Sequence, residues 1–304
     1  MKWIDTADLE LWAKRHDSKA NLPHLISKLI RATTSHIDSL SIPSGRNVYL
    51  GGWDGIVEIS EGAEFIPEGI SLWEIGTNRD KRSKANSDLE KRTSDPLNYD
   101  PSSSTFVFVT PYAWQNKDEW IEEKLDEGIW KDIRVIDGQD LESWIELAPS
   151  VGVWLASLIK NYPTEGIQAA DNFWEEWSQG ENFVLPPSLL TSGREDAVNK
   201  VKELIANPAS IIPIQAPTRE ESLAFVTACF KQLDLQEQES LFSRSVIVDT
   251  EGILRSLSYN RSPLIILPRF GDIDNAHSIV ARGHHLIMPL GVDDRFNGDV
   301  IKLP

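Results

Sequence analysis

Residues 48–93 read VYLGGWDGIVEISEGAEFIPEGISLWEIGTNRDKRSKANSDLEKRT, and the fold turns on how this stretch is divided. VYL, GIVEIS and ISLWEIGT have the length and the β-branched or aromatic content of short strands, with glycine-rich turns between them. ISLWEIGT is apolar on both sides near Trp73 and Ile75, which predicts a central strand. The run beginning at Arg79 then reads as a helix carrying six Lys/Arg against three Asp/Glu up to Arg92. Two carboxylates mark the strand ends, Asp54 in GGWDG and Glu74 in SLWEIG. A carboxylate inside an apolar strand is costly unless it is paired or bound to a metal. Acids on neighbouring strands suit a shared divalent cation, and an ammonium from the following helix suits charge stabilisation on a phosphate. The bland alternative is that each acid faces solvent or pairs with a lysine, and that the basic helix is a solvated surface.

Working outward, the segment before residue 48 predicts two helices. Thr6 is placed as the cap of the first, and the run from Pro23 through HLISKLIRATTSHI forms the second, with Leu25, Leu29, Ile30 and Ile37 on one stripe. After residue 93, SDPLNYDPSSST reads as a polar loop. FVFVTP is a buried strand, WQNKDEWIEEKLDEGIW a helix, KDIRVIDG a strand, and QDLESWIELAPSVGVWLASLI a helix. This order predicts a mixed sheet with helices outside it.

The chain has 304 residues, which favours two domains. All eleven tryptophans lie between Trp3 and Trp177. That shift, with the breakers Gly180, Pro186 and Pro187, predicts a first domain over 1–177, a linker over 178–188 and a second domain over 189–304. In the second, ASIIPIQAP, SRSVIVDT, PLIILPRF and HHLIMPLG alternate with helical runs, a parallel α/β pattern of the P-loop NTPase type. Ser192 or Gly193 is placed as the cap of its first helix. A phosphate cradle belongs at Gln215–Ser222, QAPTREES, yet that stretch holds neither glycine nor lysine. PLIILPRF also lacks an acid at its end, Asp272 being the nearest. The layout therefore predicts a nucleotide-binding architecture with degenerate chemistry. His284 and His285 are adjacent, so on a strand they diverge and read as structural residues, not as a metal pair.

Net charge is −17, which works against contact with phosphates, although a local basic patch acts at short range because charges beyond about 8 Å are largely screened. One cysteine, Cys229, excludes an intrachain disulfide and a cysteine-based zinc site. The first residues lack an apolar signal core and no long apolar run occurs, so a cytoplasmic protein is expected.

GGWDG, GISLWEIGT and KANSDLEKRT, followed by FVFVTPYAW and WKDIRVIDGQDLESWIE, resemble the Mrr-like branch of the PD-(D/E)xK nuclease superfamily over roughly residues 20–160. More narrowly, they are similar to the nuclease domains fused to STAND-type NTPases in bacterial antiphage defence. SGREDAV and RSVIVDT resemble, more loosely, the start of such an NTPase module. The resemblance implies a restriction-endonuclease-like fold and a Mg²⁺- or Mn²⁺-dependent endonuclease acting on DNA. It further implies a homo-oligomer held in check until a phage-derived or host protein trigger arrives. Asp54 and Glu74 would be the metal ligands. The family's lysine two residues after the second acid is absent, because Gly76 stands there. Lys84 from the next helix is the first candidate to replace it and Lys81 the second, with Glu58 as a further carboxylate. The chain ends soon after a strand, without the repeats a sensor needs, and is expected to be a fragment of a longer protein. Set beside this are a catalytically inactive, nuclease-like binding or regulatory protein and a working ATPase.

Overall fold

A computed structural model of the chain describes residues 2–34, 36–43, 52–160, 164–271 and 273–303. The expected strand at residues 48–50, Gly51 and Asp272 lie outside the described residues. Contacts divide the chain into two compact units, Lys2–Glu146 and Leu147 onward.

In the first unit, α1 (Thr6–Ala13) and α2 (Ser18–Thr33) precede a five-stranded sheet. Asp5, not Thr6, caps α1, accepting from the Asp8 amide while the Asp8 side chain accepts from the Asp5 amide. The Thr6 hydroxyl instead donates to Glu142, at 2.7 Å. Helix α2 starts five residues before Pro23 and runs through it. Its heavily buried face, with Leu22, Leu25, Ile26, Leu29 and Ile30, outweighs the one backbone hydrogen bond that the proline forfeits.

The strands are β1 (Ser39–Ser41), β2 (Gly55–Ile59), β3 (Gly69–Ile75), β4 (Thr105–Val109) and β5 (Asp132–Ile136), and they lie in sequence order. β2 runs antiparallel to both of its neighbours, β1 and β3, whereas β3, β4 and β5 are parallel. The sheet is therefore mixed, and β3 is central as its two-sided apolar character requires. One face of the sheet carries Leu72, Phe106, Phe108 and Ile133. There they pack with Ala85 and Leu89 of α3 (Lys81–Ser94) and Trp120 of α4 (Lys117–Leu125). On the opposite face Trp73 meets Trp144 of α5 (Gly138–Leu147), which also stacks on Phe65.

The second unit starts earlier than the 178–188 linker. The single helix expected from QDLESWIELAPSVGVWLASLI is two, because Pro149 stops α5 and opens α6 (Pro149–Lys160). Next, β6 (Ile167–Ala169) pairs with β8 (Ser245–Val248), and α7 (Ala170–Ser178) places Phe173 and Trp174 in the second core. The last tryptophans thus belong with the chain that follows them, and tryptophan content does not track the division.

This unit's sheet has the order β11-β7-β10-β9-β8-β6, with β7 (Ile211–Gln215), β9 (Ile265–Pro268), β10 (His285–Leu290) and β11 (Ile301–Lys302). Five strands are parallel as the pattern predicts, and β6 adds an antiparallel edge. After α8 (Ser188–Thr191), α9 (Glu195–Ala206) begins at Arg194, with Gly193 in a left-handed conformation (φ +74°) instead of serving as the cap. Helix α10 (Arg219–Lys231) is buried continuously from Ser222 to Phe230, the signature of a helix enclosed on all sides. α11 (Leu235–Phe242), α12 (Glu251–Leu257) and α13 (Ala276–Ala281) complete the layers. Among the described residues, no helix is long and apolar enough to cross a membrane.

Candidate active site

The antiparallel register sets Gly55 opposite Trp73, so Asp54, one residue before β2, is carried to the level of Glu74. Its Oδ2 accepts from the Ile75 amide at 2.8 Å. Glu74 alternates with Leu72 and so takes the sheet face that α3 covers. Helix α3 begins at Asp80, whose side chain accepts from the Ser83 amide at 3.1 Å, and keeps Lys91 and Arg92 in its last turn, where cations suit the helix dipole. Its period of 3.6 residues lines up Lys84, Asp88 and Arg92 on one stripe, beside the buried Ala85 and Leu89.

That stripe meets the two acids. Arg92 donates through Nε to Glu74 and through a terminal nitrogen to the Gly52 carbonyl. Gly52 has a φ of +141°, a conformation strained for any other residue. The guanidinium also lies over Trp53, 4.6 Å from the ring centroid. Lys84 donates to Asp88 Oδ1, whereas Asp88 Oδ2 is buried without a hydrogen-bond partner. The lysine stem runs across Gly76. A Cβ at that position would come within 3.3 Å of Lys84 Cγ and 3.6 Å of Cε. Lysine 84 thus fills the space beside β3 that a side chain at 76 would occupy.

Electrostatics records the crowding of three carboxylates. Burial pushes the Glu74 carboxyl up to about 7, and the charge of Asp54 pushes the same way, while the Arg92 bond opposes both. Burial also raises Asp88, with Lys84 opposing and Asp54 reinforcing. Asp54, Glu74 and Lys84, the residues singled out in the sequence, are gathered on one side of the sheet. Asp88 and Arg92 complete the cluster and were not singled out as site residues. The signal for them was the four-residue spacing of 84, 88 and 92, which in sequence reads equally well as exposed helix pairs.

Two secondary candidates fall elsewhere. Glu58 lies four residues along the strand from Asp54, about 13 Å away at the usual strand rise, and is exposed opposite Ile70. Lys81 sits at the first turn of α3 and forms no ion pair among the described residues. No group of three His, Cys, Asp or Glu side chains is arranged to hold a metal ion among the described residues. The donors that are present are all carboxylate oxygens. With the orphan Oδ2 of Asp88 they fit a hard cation such as Mg²⁺ in kind, although Arg92 competes for Glu74.

In the second unit the place of a phosphate cradle is occupied by the protein's own charges. Thr218 caps α10, and Arg219 forms a bidentate pair with Asp294, 2.8 Å on each arm. Asp294 Oδ2 also accepts from the Gly291 amide at 2.8 Å, and Gln215 donates to the Gly291 carbonyl at 3.0 Å. An internal carboxylate therefore sits by the crevice at the carboxyl ends of β7 and β10, where doubly wound sheets take ligands. His284 and His285 are both buried. His284 Nδ1 accepts from the Leu264 amide at 3.1 Å, and His285 Nδ1 accepts from the Ser210 amide at 3.3 Å, so their work is structural.

Compared with protein-family models, curated proteins and solved structures, the chain matches none.

Proposed function

We propose that the first unit is a metal-dependent endonuclease of the PD-(D/E)xK type that hydrolyses DNA phosphodiester bonds, and that the chain serves as an effector in antiphage defence. The observation that carries this reading is the run of Lys84 across Gly76. Its stem thereby lies against the strand that bears Glu74, at the position where the family pattern has its lysine, while its ammonium pairs with Asp88. The helix-flanked mixed sheet with Asp54 and Glu74 at the ends of adjacent strands supports it. So does the run 79–92, which carries six Lys/Arg against three Asp/Glu in an acidic chain, although Arg82 is paired with Glu123.

In this reading Asp54 and Glu74 hold Mg²⁺, with Asp88 within electrostatic reach. The ion supplies a low-pKa water and polarises the scissile phosphate. Lys84 stabilises charge on the attacking water or on a phosphate oxygen. Arg92 holds Glu74 at the sheet and offsets part of the carboxylate repulsion. The test is Mg²⁺- or Mn²⁺-dependent cleavage of plasmid DNA by the wild type and by Asp54→Asn and Glu74→Gln. Loss of cutting in both, with circular dichroism unchanged, is the expected result. Wild-type rates in either variant remove the proposal.

A second reading is a catalytically inactive, nuclease-like binding or regulatory protein with a non-hydrolysing NTPase-like module. It is favoured by the internal pairing of Glu74 with Arg92 and of Lys84 with Asp88, which leaves the cluster largely neutralised by itself. Calorimetry separates the two: Mn²⁺ binding that disappears in Asp54→Asn supports the enzyme, and no binding supports the regulator.

A further inference from the structure

A second feature lies within the second unit, among α9, α10 and α11. These helices line an open cavity of about 370 Å³ whose walls are mostly apolar, formed by Val201, Ile205, Cys229, Phe230 and Leu241. Size and lining match a small-molecule pocket. Two cations open into it, Lys202 from α9 and Arg244 from the turn before β8. Neither has a carboxylate within ion-pair distance among the described residues, although the chain carries 47 acidic side chains. Glu237 at the rim is exposed and pairs with neither. The Arg244 Nε is fully buried with no hydrogen-bond partner, and burial lowers the guanidinium's pKa. The neighbouring titratable groups offer no compensation. Burial holds His285 neutral, with its pKa pushed down to about 4, and keeps the Cys229 thiol protonated, pushed up to about 12.

Arg244 is half-buried with its Nε wholly out of water, and a guanidinium partly stripped of water without a counter-charge is costly. An apolar cavity that places one beside a second unpaired cation is chemically incomplete. We propose that the cavity binds a monoanionic amphiphile, a carboxylate with a linear or branched apolar body, its head group on Arg244 and Lys202 and its tail against the apolar helix faces. The volume lies in the range of small-molecule pockets, and decanoate is a probe with one carboxylate and an apolar tail. This site is separate from the cluster around Glu74 and does not depend on the nuclease reading.

The experiment is calorimetric titration of the full chain with decanoate, 1-decanol and acetate, at concentrations below micelle formation. Decanoate is expected to bind with a negative heat-capacity change, and decanol and acetate at least ten-fold more weakly. Arg244→Met should weaken decanoate by roughly ten- to a hundred-fold, the usual worth of a charge-assisted bond, with the protein still folded. Lys202→Gln, on the rim of the pocket, should weaken decanoate without change in Tm and serves if the first variant fails to fold. Ile205→Trp should fill the cavity and abolish binding. Absence of decanoate binding, decanol binding as tight as decanoate, or unchanged decanoate affinity in a folded Arg244→Met or Lys202→Gln protein overturns the proposal.

Discussion

Arg92→Met interrogates the centre of the candidate site. Both partners of the Arg92–Glu74 pair are about 95% buried, with side-chain exposures of 4% and 5%. Removing one member of such a pair leaves an uncompensated charge and costs about 3–5 kcal/mol. The Gly52 carbonyl also loses its donor, about 1 kcal/mol. Methionine keeps most of the stem volume, so packing contributes little. The cost must depend on pH. The folded protein holds the Glu74 proton more tightly than the unfolded chain, about 7 against an ordinary 4.5. Stability from this group is therefore full at low pH and is lost as pH rises from 4.5 to 7. Without Arg92 the folded pKa climbs further. At pH 8 the variant pays to bury a charge or to protonate it, whereas at pH 5 Glu74 is already neutral. We expect a loss of about 4 kcal/mol at pH 8 that falls by at least half at pH 5, and Glu74→Gln combined with Arg92→Met should be more stable at pH 8 than either single variant. Urea titrations followed by tryptophan fluorescence measure this, because eight of the eleven tryptophans precede Leu147. A loss below about 1 kcal/mol at pH 8, or one that is the same at both pH values, refutes the argument from burial.

Lys84→Ala should reduce plasmid cleavage by about a hundred-fold or more and, because it strips the buried Asp88 of its cation, should cost about 1–3 kcal/mol of stability; Gly76→Lys in that background should restore part of the rate, since removing the old stem opens the space above residue 76. In the second unit the sign of the pH effect reverses. His285 has its pKa depressed to about 4 from 6.5, so its contribution is present above pH 6.5 and is lost as pH falls toward 4, up to about 3 kcal/mol. Thermal scans of His285→Gln should accordingly gain on the wild type at pH 5 relative to pH 7.5. ATP should not bind in the crevice beside Arg219 and Asp294. Saturable binding of a fluorescent ATP analogue at micromolar concentration would contradict that reading of the internal ion pair.

Much of the first sheet was legible, because β2 to β5 are runs of β-branched and aromatic residues bounded by turn signals. Its centre was readable too, since only a strand covered on both faces tolerates Leu72, Trp73 and Ile75 together. The parallel layout of the second sheet was equally plain. Its edges were not: β6 and β11 are too short for periodicity to register, and they exist because neighbours offer free backbone groups. The division of the chain was misplaced because tryptophan counts report where large side chains are affordable, and not which sheet a segment joins. Asp88 escaped notice for a different reason. An acid four residues from a lysine is the commonest pattern on a solvated helix, and only the seating of α3 against β3 turns it inward.

That seating has a consequence for how the cluster is held. Helix α3 contributes little greasy surface and is instead gripped by directional bonds: Trp120 to Asn86 at 2.8 Å, Trp130 to Thr93 at 2.9 Å, and Arg92 to Glu74 and Gly52. Oily contacts permit sliding, but bonds of fixed aim do not. A one-residue slip would swing the whole stripe by about 100° and break every one of them together. The helix therefore behaves as a key cut for one rotational setting, so inserting a single residue at Thr77–Asn78, ahead of it, should disable the cluster far more severely than any loss of hydrophobic contact would suggest.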